Sequence, residues 1–137
     1  MMPESEDDMR TLSLVRSYGQ AHRHPNRPAL VIHGPYELGG KDVKGAWEGT
    51  EPRYRPGGYI LFSENGELLY VGKASHAKSI GSRLVRFRYK ESEWPTRPAF
   101  VRIIEVPDAF EAPSLEEFLI SKLQPRFNKH GWIGIGP

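Results

Sequence analysis

Two short apolar runs constrain this chain more than anything else in it. Residues 57–62 (Gly-Gly-Tyr-Ile-Leu-Phe) and 68–72 (Leu-Leu-Tyr-Val-Gly) have strand composition, and Asn65-Gly66 lies between them. Both positions of an Asn-Gly pair accept positive φ, which the tightest antiparallel turn demands. A two-residue loop at Asn65-Gly66 places Glu64 across from Glu67, Leu61 across from Tyr70 and Tyr59 across from Gly72. Strand side chains alternate between faces, so Tyr59 and Tyr70 become diagonal neighbours on one face. Gly72 leaves a gap across from Tyr59, and two phenols beside a gap could bind a phosphate and handle a proton. Strand tyrosines also simply pack.

The rest of the chain fits an α+β domain around a small antiparallel sheet. Ser5 can cap a helix over 6–20, with Met9, Leu12, Val15 and Tyr18 near helical spacing. Residues 29–32 could be a short strand in a Gly- and Pro-rich stretch that otherwise reads as loop. A basic helix is expected over 79–90, with Ile80, Leu84 and Phe87 as its apolar stripe. A third strand is expected over 100–106. A helix over 111–123 has Pro113 in its first turn and Pro125 beyond its end. Residues 131–137 are too glycine-rich to assign. The division is thus 1–56 as an extension that packs on or prolongs the core, 57–130 as the core, and 131–137 as a tail.

One carboxylate stands out on the helix over 111–123. Glu116 falls about 100° round the helix from Leu115, between Leu123 and Ile120, whereas Glu117 falls about 200° round and outside the stripe. An inward carboxylate is costly unless it meets a cation, so metal ligation and an ion pair are its two readings. Lys122 also lies inside the arc, with a stem long enough to carry its charge to water. The basic helix groups Arg83, Arg86 and Lys90 beside its apolar stripe, and Lys73 directly follows the second strand. Such cations could neutralise a phosphate, or form an ordinary solvated face.

Charge and composition narrow the field. The net charge is +2, yet Glu4, Glu6, Asp7 and Asp8 crowd the start, and from Met9 onward the surplus is six positive charges. A basic body suits a polyanionic partner, because cations placed at phosphates release counterions. There is no cysteine, which excludes disulfides and thiolate metal sites. No apolar run approaches the ~18 residues of a bilayer span. The acidic start lacks the basic, apolar pattern of a secretory signal, so the cytoplasm is the expected compartment.

Taken in order, these residues resemble the GIY-YIG nuclease superfamily. Gly57-Gly58-Tyr59 looks like the first triplet and Tyr70-Val71-Gly72 like the second. The short hairpin followed by Lys73-Ala74 is similar to the branch found in bacterial excision repair. Arg83 matches the arginine of the first family helix. Leu115-Glu116, Leu119-Ile120, Pro125 and Asn128 match the closing stretch, and the likeness covers roughly residues 57–130.

The resemblance implies a three-stranded antiparallel sheet flanked by helices and an endonuclease that cuts DNA. It implies one Mg²⁺ or Mn²⁺ with Glu116 as protein ligand, water and phosphate oxygens completing the shell. Arg83 would bind the scissile phosphate. A tyrosine, helped by Lys73, Arg83 or the metal to titrate below the ordinary value near 10, would take a proton from the attacking water. Tyr59 is the favoured base, on the premise that Gly72 leaves it accessible. Gly72 and Asn128 would support the site, and Lys78, Arg86, Arg88, Lys90, Arg126 and Lys129 would contact DNA. Two departures stand out. Gly58 replaces an apolar residue, and Phe87 stands where the family often has Tyr or His, so that His76, Tyr89 or a lysine would have to substitute. The loop 75–82 also looks longer than in repair relatives. A non-catalytic nucleic-acid binding module on the same scaffold is the alternative. Monomer and homodimer both stay open.

Overall fold

The computed structural model describes residues 5–23, 25–26, 28–39, 45–50, 55–74, 80–81, 83–84 and 94–128. Helix α1 spans Glu6–Ala21. Strand β1 spans Val31–Glu37, and a 3₁₀ turn covers Ala46–Gly49. Strands β2 (Gly57–Ser63), β3 (Leu68–Ala74) and β4 (Pro98–Glu105) follow, and helix α2 spans Glu111–Leu123. Ile80, Gly81, Arg83 and Leu84 are helical. Among the described residues, no helix is long and apolar enough to cross a membrane.

The strands form one antiparallel sheet in the order β1-β4-β2-β3. The α+β architecture is as expected, but the sheet has four strands, not three. The extra strand was legible only as a fragment over 29–32, because Gly34 and Pro35 interrupt it. The register of β1 on β4 shifts between His33 and Tyr36, so the two residues sit at an irregularity. An edge strand tolerates this, since one side of its backbone has no ladder to lose.

Alternation along the strands divides the core into two halves. Ile60, Phe62, Val71, Phe100 and Ile104 pack with Val15, Tyr18, Leu115, Leu119 and Leu123 from the two helices. Tyr59, Leu61, Val101 and Ile103 pack on the other face with Trp47, Ile80 and Leu84. Trp47 is buried in the stretch that reads as loop, where its indole N–H donates to the carbonyl of Leu38 at 2.9 Å.

Helix α1 starts where Ser5 predicts. Its hydroxyl accepts from the Asp8 N–H at 3.0 Å and donates to the Gly66 carbonyl at 2.8 Å, joining the helix to the hairpin tip. The expected apolar stripe is rotated, however. Met9 is 59% exposed, while Asp8, Thr11, Val15 and Tyr18 face inward. The reason lies on β4: Arg102 makes a two-pronged contact with Asp8, Nε to Oδ1 at 2.6 Å and Nη2 to Oδ2 at 3.0 Å. Burial of a carboxylate is tolerated there because a planar guanidinium satisfies both oxygens.

The Asp8 and Arg102 side chains are only 3% and 12% exposed. Removing one partner leaves the other charged and buried. Asp8→Ala should therefore cost about 3 kcal/mol of folding stability, read from the urea midpoint. A shift below about 0.5 kcal/mol would show that the pair contributes no more than a surface contact.

Candidate functional site

The hairpin reaches the expected pairing by an unexpected route. Tyr59 pairs with Gly72 and Leu61 with Tyr70, as the two-residue loop predicts. Yet the Ser63 N–H donates to the Glu67 carbonyl at 2.9 Å, so the loop holds three residues, and Gly66 takes a positive φ of 86°. This shortens the register by one, and Phe62 pairs with Leu68. Leu69 is then the extra residue of a bulge, and the two irregularities cancel before the tyrosines are reached. Because of the bulge, Leu68 and Val71 both face the α1–α2 side.

Tyr59 and Tyr70 do share a face, with ring centroids 6.2 Å apart. The gap at Gly72 does not exist, because the Tyr59 ring fills it. A Cβ on Gly72 would lie 2.2 Å from Cζ of that ring and 2.4 Å from its hydroxyl oxygen. Tyr59 is consequently buried, at 4% exposure, and the premise that it is accessible is overturned. Tyr70 is the more exposed phenol of the two. It continues an aromatic row, with Trp94 at 5.6 Å from Tyr70, and Phe127 stacked 4.5 Å from Trp94.

Glu116 reaches the same strand from the opposite face. The helix-wheel reading holds, since Glu116 is half-buried and Glu117 exposed. Leu115 next to it lies against Gly58, where a Cβ would stand 3.2 Å from Leu115 Cδ2. The apolar residue missing from the first triplet is thus replaced by a leucine from α2. The Glu116 side chain is 22% exposed, and Lys73 Nζ stands 3.9 Å from its Oε1. Burial raises its pKa above the ordinary 4.5, opposed by the charges of Lys73 and Arg83, with Glu117 adding a small push upward. Arg83 therefore approaches the carboxylate from the helical residues that pack on the tyrosine face. Its Nε is buried and has no hydrogen-bond partner among the described residues.

The group thus wraps the edge of β3. Tyr59, Tyr70 and Arg83 belong to one side of the sheet, Lys73 and Glu116 to the other. Asn128 closes that edge: the Val71 N–H donates to its Oδ1 at 2.7 Å, and its Nδ2 donates to the Val71 carbonyl at 2.8 Å. The side-chain amide does what a neighbouring strand would do. Arg126 is exposed, bonded to Thr96 at 2.8 Å and near Glu67 at 3.4 Å, so part of its charge is already matched. Lys78, Arg86, Arg88, Lys90 and Lys129 lie outside the described residues, as do Phe87, His76 and Tyr89. Sequence reasoning missed Trp94 and Phe127. They are isolated aromatics with no spacing that ties them to Tyr70.

The UvrC-like GIY-YIG domain family matches residues 55–129, more than half of the chain. The chain belongs to that family. The match takes in the hairpin, the Lys73–Glu116 pair, Arg83 and Asn128, and leaves out α1 and β1. Among curated proteins, the GIY-YIG domain is similar to UvrABC system protein C of Hydrogenovibrio crunogenus, 36% identical over 54% of this chain and 13% of that protein. UvrABC system protein C of Mycoplasma genitalium is 37% identical over 58% of the chain and 13% of its own length. That of Koribacter versatilis is 40% identical over 53% and 13%. The aligned part is therefore a small fraction of these relatives.

Gly72→Ala tests the contact between the two triplets. The buried Tyr59 ring would have to leave its place over β3. A loss of about 1–3 kcal/mol is expected from overpacking, measured by urea unfolding, with a changed near-ultraviolet tyrosine signal. A variant as stable as the wild type, with that signal intact, would mean that the ring does not lie over Gly72.

Proposed function

We propose that this chain is a metal-dependent DNA endonuclease that hydrolyses phosphodiester bonds. The observation that carries this reading is Glu116, a half-buried carboxylate held beside Lys73 and Arg83 at the strand that also presents Tyr70. Family membership supports it, and the proposed catalytic unit is 57–130, with 1–56 as an extension.

The donor set suits a hard cation. Among the described residues, no cluster of three or more His, Cys, Asp or Glu could encage a metal. A lone carboxylate suits Mg²⁺ or Mn²⁺, which retain water and share substrate phosphate oxygens. Glu116 would hold the ion, which when bound would supply positive charge against the phosphate and the leaving oxygen. The remaining work falls to the chain itself. The Nε of Arg83, without a hydrogen-bond partner among the described residues, is a donor for a phosphate oxygen. Lys73 favours the ionised form of Glu116 and so opposes part of the effect of burial. Tyr70, the more exposed phenol, is better placed than Tyr59 to take the proton from an attacking water. A phenol does this near neutral pH only with positive charge nearby, which Lys73 and Arg83 would have to supply. Tyr59, packed over Gly72, orients its neighbour.

Phe87 favours a second reading, a DNA-binding module without catalysis, because phenylalanine cannot carry a proton where the family often has Tyr or His. Supercoiled plasmid with protein and Mg²⁺ separates the two: nicking that EDTA abolishes supports the nuclease, and retarded but uncut DNA supports the module.

Glu116→Gln should remove Mg²⁺-dependent nicking while gel retardation of DNA persists. Full cleavage by this variant would sink the metal assignment. Stability should move the other way. A raised pKa means that the folded state holds the proton more tightly than the unfolded state. The stability from that proton is present below pH 4.5 and lost as pH rises through the raised value. Neutral Gln avoids this loss. At pH 7 the variant should melt no lower than the wild type, and its advantage should vanish in melts below pH 4.5.

A further inference from the structure

Trp94 is not part of the proposed catalytic group, yet it touches Tyr70. Its ring centroid is 5.6 Å from that of Tyr70, at an interplanar angle of 41°. It packs, with Tyr70, against the buried cluster that contains Tyr59. The Tyr70 ring is thus bordered by Tyr59 at 6.2 Å and by Trp94 at 5.6 Å.

Trp94 is itself fixed from behind. It stacks on Phe127 at 4.5 Å and 22°. Phe127 is tied to the strand that carries Tyr70, because its N–H donates to the Leu69 carbonyl at 2.9 Å. The adjacent Asn128 is bonded twice to Val71. A second tie joins the same two segments, as Arg126 Nη1 donates to Thr96 Oγ1 at 2.8 Å, two residues beyond Trp94. The backbone of residues 69–71 therefore holds residues 127–128, which hold Trp94, which returns to the ring of Tyr70. This closed circuit borders the Tyr70 ring with Tyr59 and Trp94. Offset and tilted aromatic contacts of this kind favour one mutual orientation over others.

We propose that Trp94 is a positioning residue for Tyr70: it fixes the phenol at the edge of β3 so that its oxygen is aimed at the reacting water. This rests on the nuclease reading above. Trp94 need not touch the substrate, so its removal should reduce the chemical step and leave DNA affinity alone. A misplacement of about 1 Å at a reacting group can cost on the order of a hundredfold in rate.

The test compares Trp94→Leu and Trp94→Phe with the wild type in single-turnover nicking of a labelled duplex, with DNA affinity measured separately. Trp94→Leu should cut about ten- to a hundredfold more slowly at saturating protein, with affinity within about twofold. Trp94→Phe keeps a flat ring against Phe127 and should recover most of the rate, a rescue that mere filling of space by Leu would not show. Should Trp94→Leu fail to fold, Trp94→Met takes its place. A fluorine label supplies a readout independent of cleavage: in protein made with 3-fluorotyrosine, the resonance that disappears in Tyr70→Phe should shift or broaden in Trp94→Leu. An unmoved resonance, a wild-type rate in the Leu variant, or equal losses in Leu and Phe would each overturn the proposal. If the wild-type protein cuts no DNA, the nuclease reading fails by itself, and the Tyr70 resonance still decides whether Trp94 holds that ring.

Discussion

Asn128 uses both ends of its amide on the backbone of Val71, and the candidate site depends on that contact more than on any other. Strand β3 lies at the edge of the sheet, where unpaired N–H and carbonyl groups would ordinarily face solvent or invite another strand. Here the chain closes the edge with its own groups. Asp7 Oδ2 accepts from the Leu68 N–H at 2.8 Å, the Phe127 N–H reaches Leu69, and Asn128 covers Val71. None of these partners is a strand, so these groups of Leu68, Leu69 and Val71 are satisfied without the edge being buried beneath another sheet element. That leaves Tyr70 and Lys73, on alternate faces of one strand, both partly open.

Placing a site around an edge strand also explains its mixed electrostatics. Side chains can reach one point from both faces of the sheet only where the sheet ends. Glu116 arrives from α2 and Arg83 from the helical residues across the sheet, and the carboxylate senses the charge of Arg83. Burial of Glu116 outweighs the two cations, so its ionised form is held at a cost. The low-dielectric setting that creates this cost also strengthens whatever cation the carboxylate meets.

How much of this was legible in the sequence depended on whether local patterns agreed with long-range contacts. The glutamate was legible because helical geometry alone sorts Glu116 from Glu117. The tyrosine pairing was legible for a less secure reason: the loop is one residue longer than the Asn65-Gly66 pattern predicts, and a bulge at Leu69 restores the register. No local signal marks that bulge. The rotation of the buried face of α1 was missed because a hydrophobic wheel assigns Asp8 to water, whereas Arg102, far away in sequence, brings it inside. Tyr59 was misjudged because a glycine opposite a large side chain reads equally as a gap or as the space into which the ring folds. Only packing on both sides decides between them.

The acidic N-terminus shows how misleading a charge count can be. Four acids within the first eight residues cut the net charge to +2 and dilute the case for a polyanionic partner. In the folded chain, two of the four are engaged in holding the structure together. Asp7 caps the outer edge of β3, and Asp8 is buried against Arg102. Neutralising Arg102 in this way removes one base as well, but that base lies on β4, away from the edge where Lys73 and Arg83 meet Glu116. The acids that lower the net charge therefore do not lower the local potential by the same amount. For the proposed binding of a phosphate, what matters is the field near Lys73 and Glu116, and Asp7 holds its negative charge at the opposite, Leu68 end of β3, where it fastens α1 to the sheet.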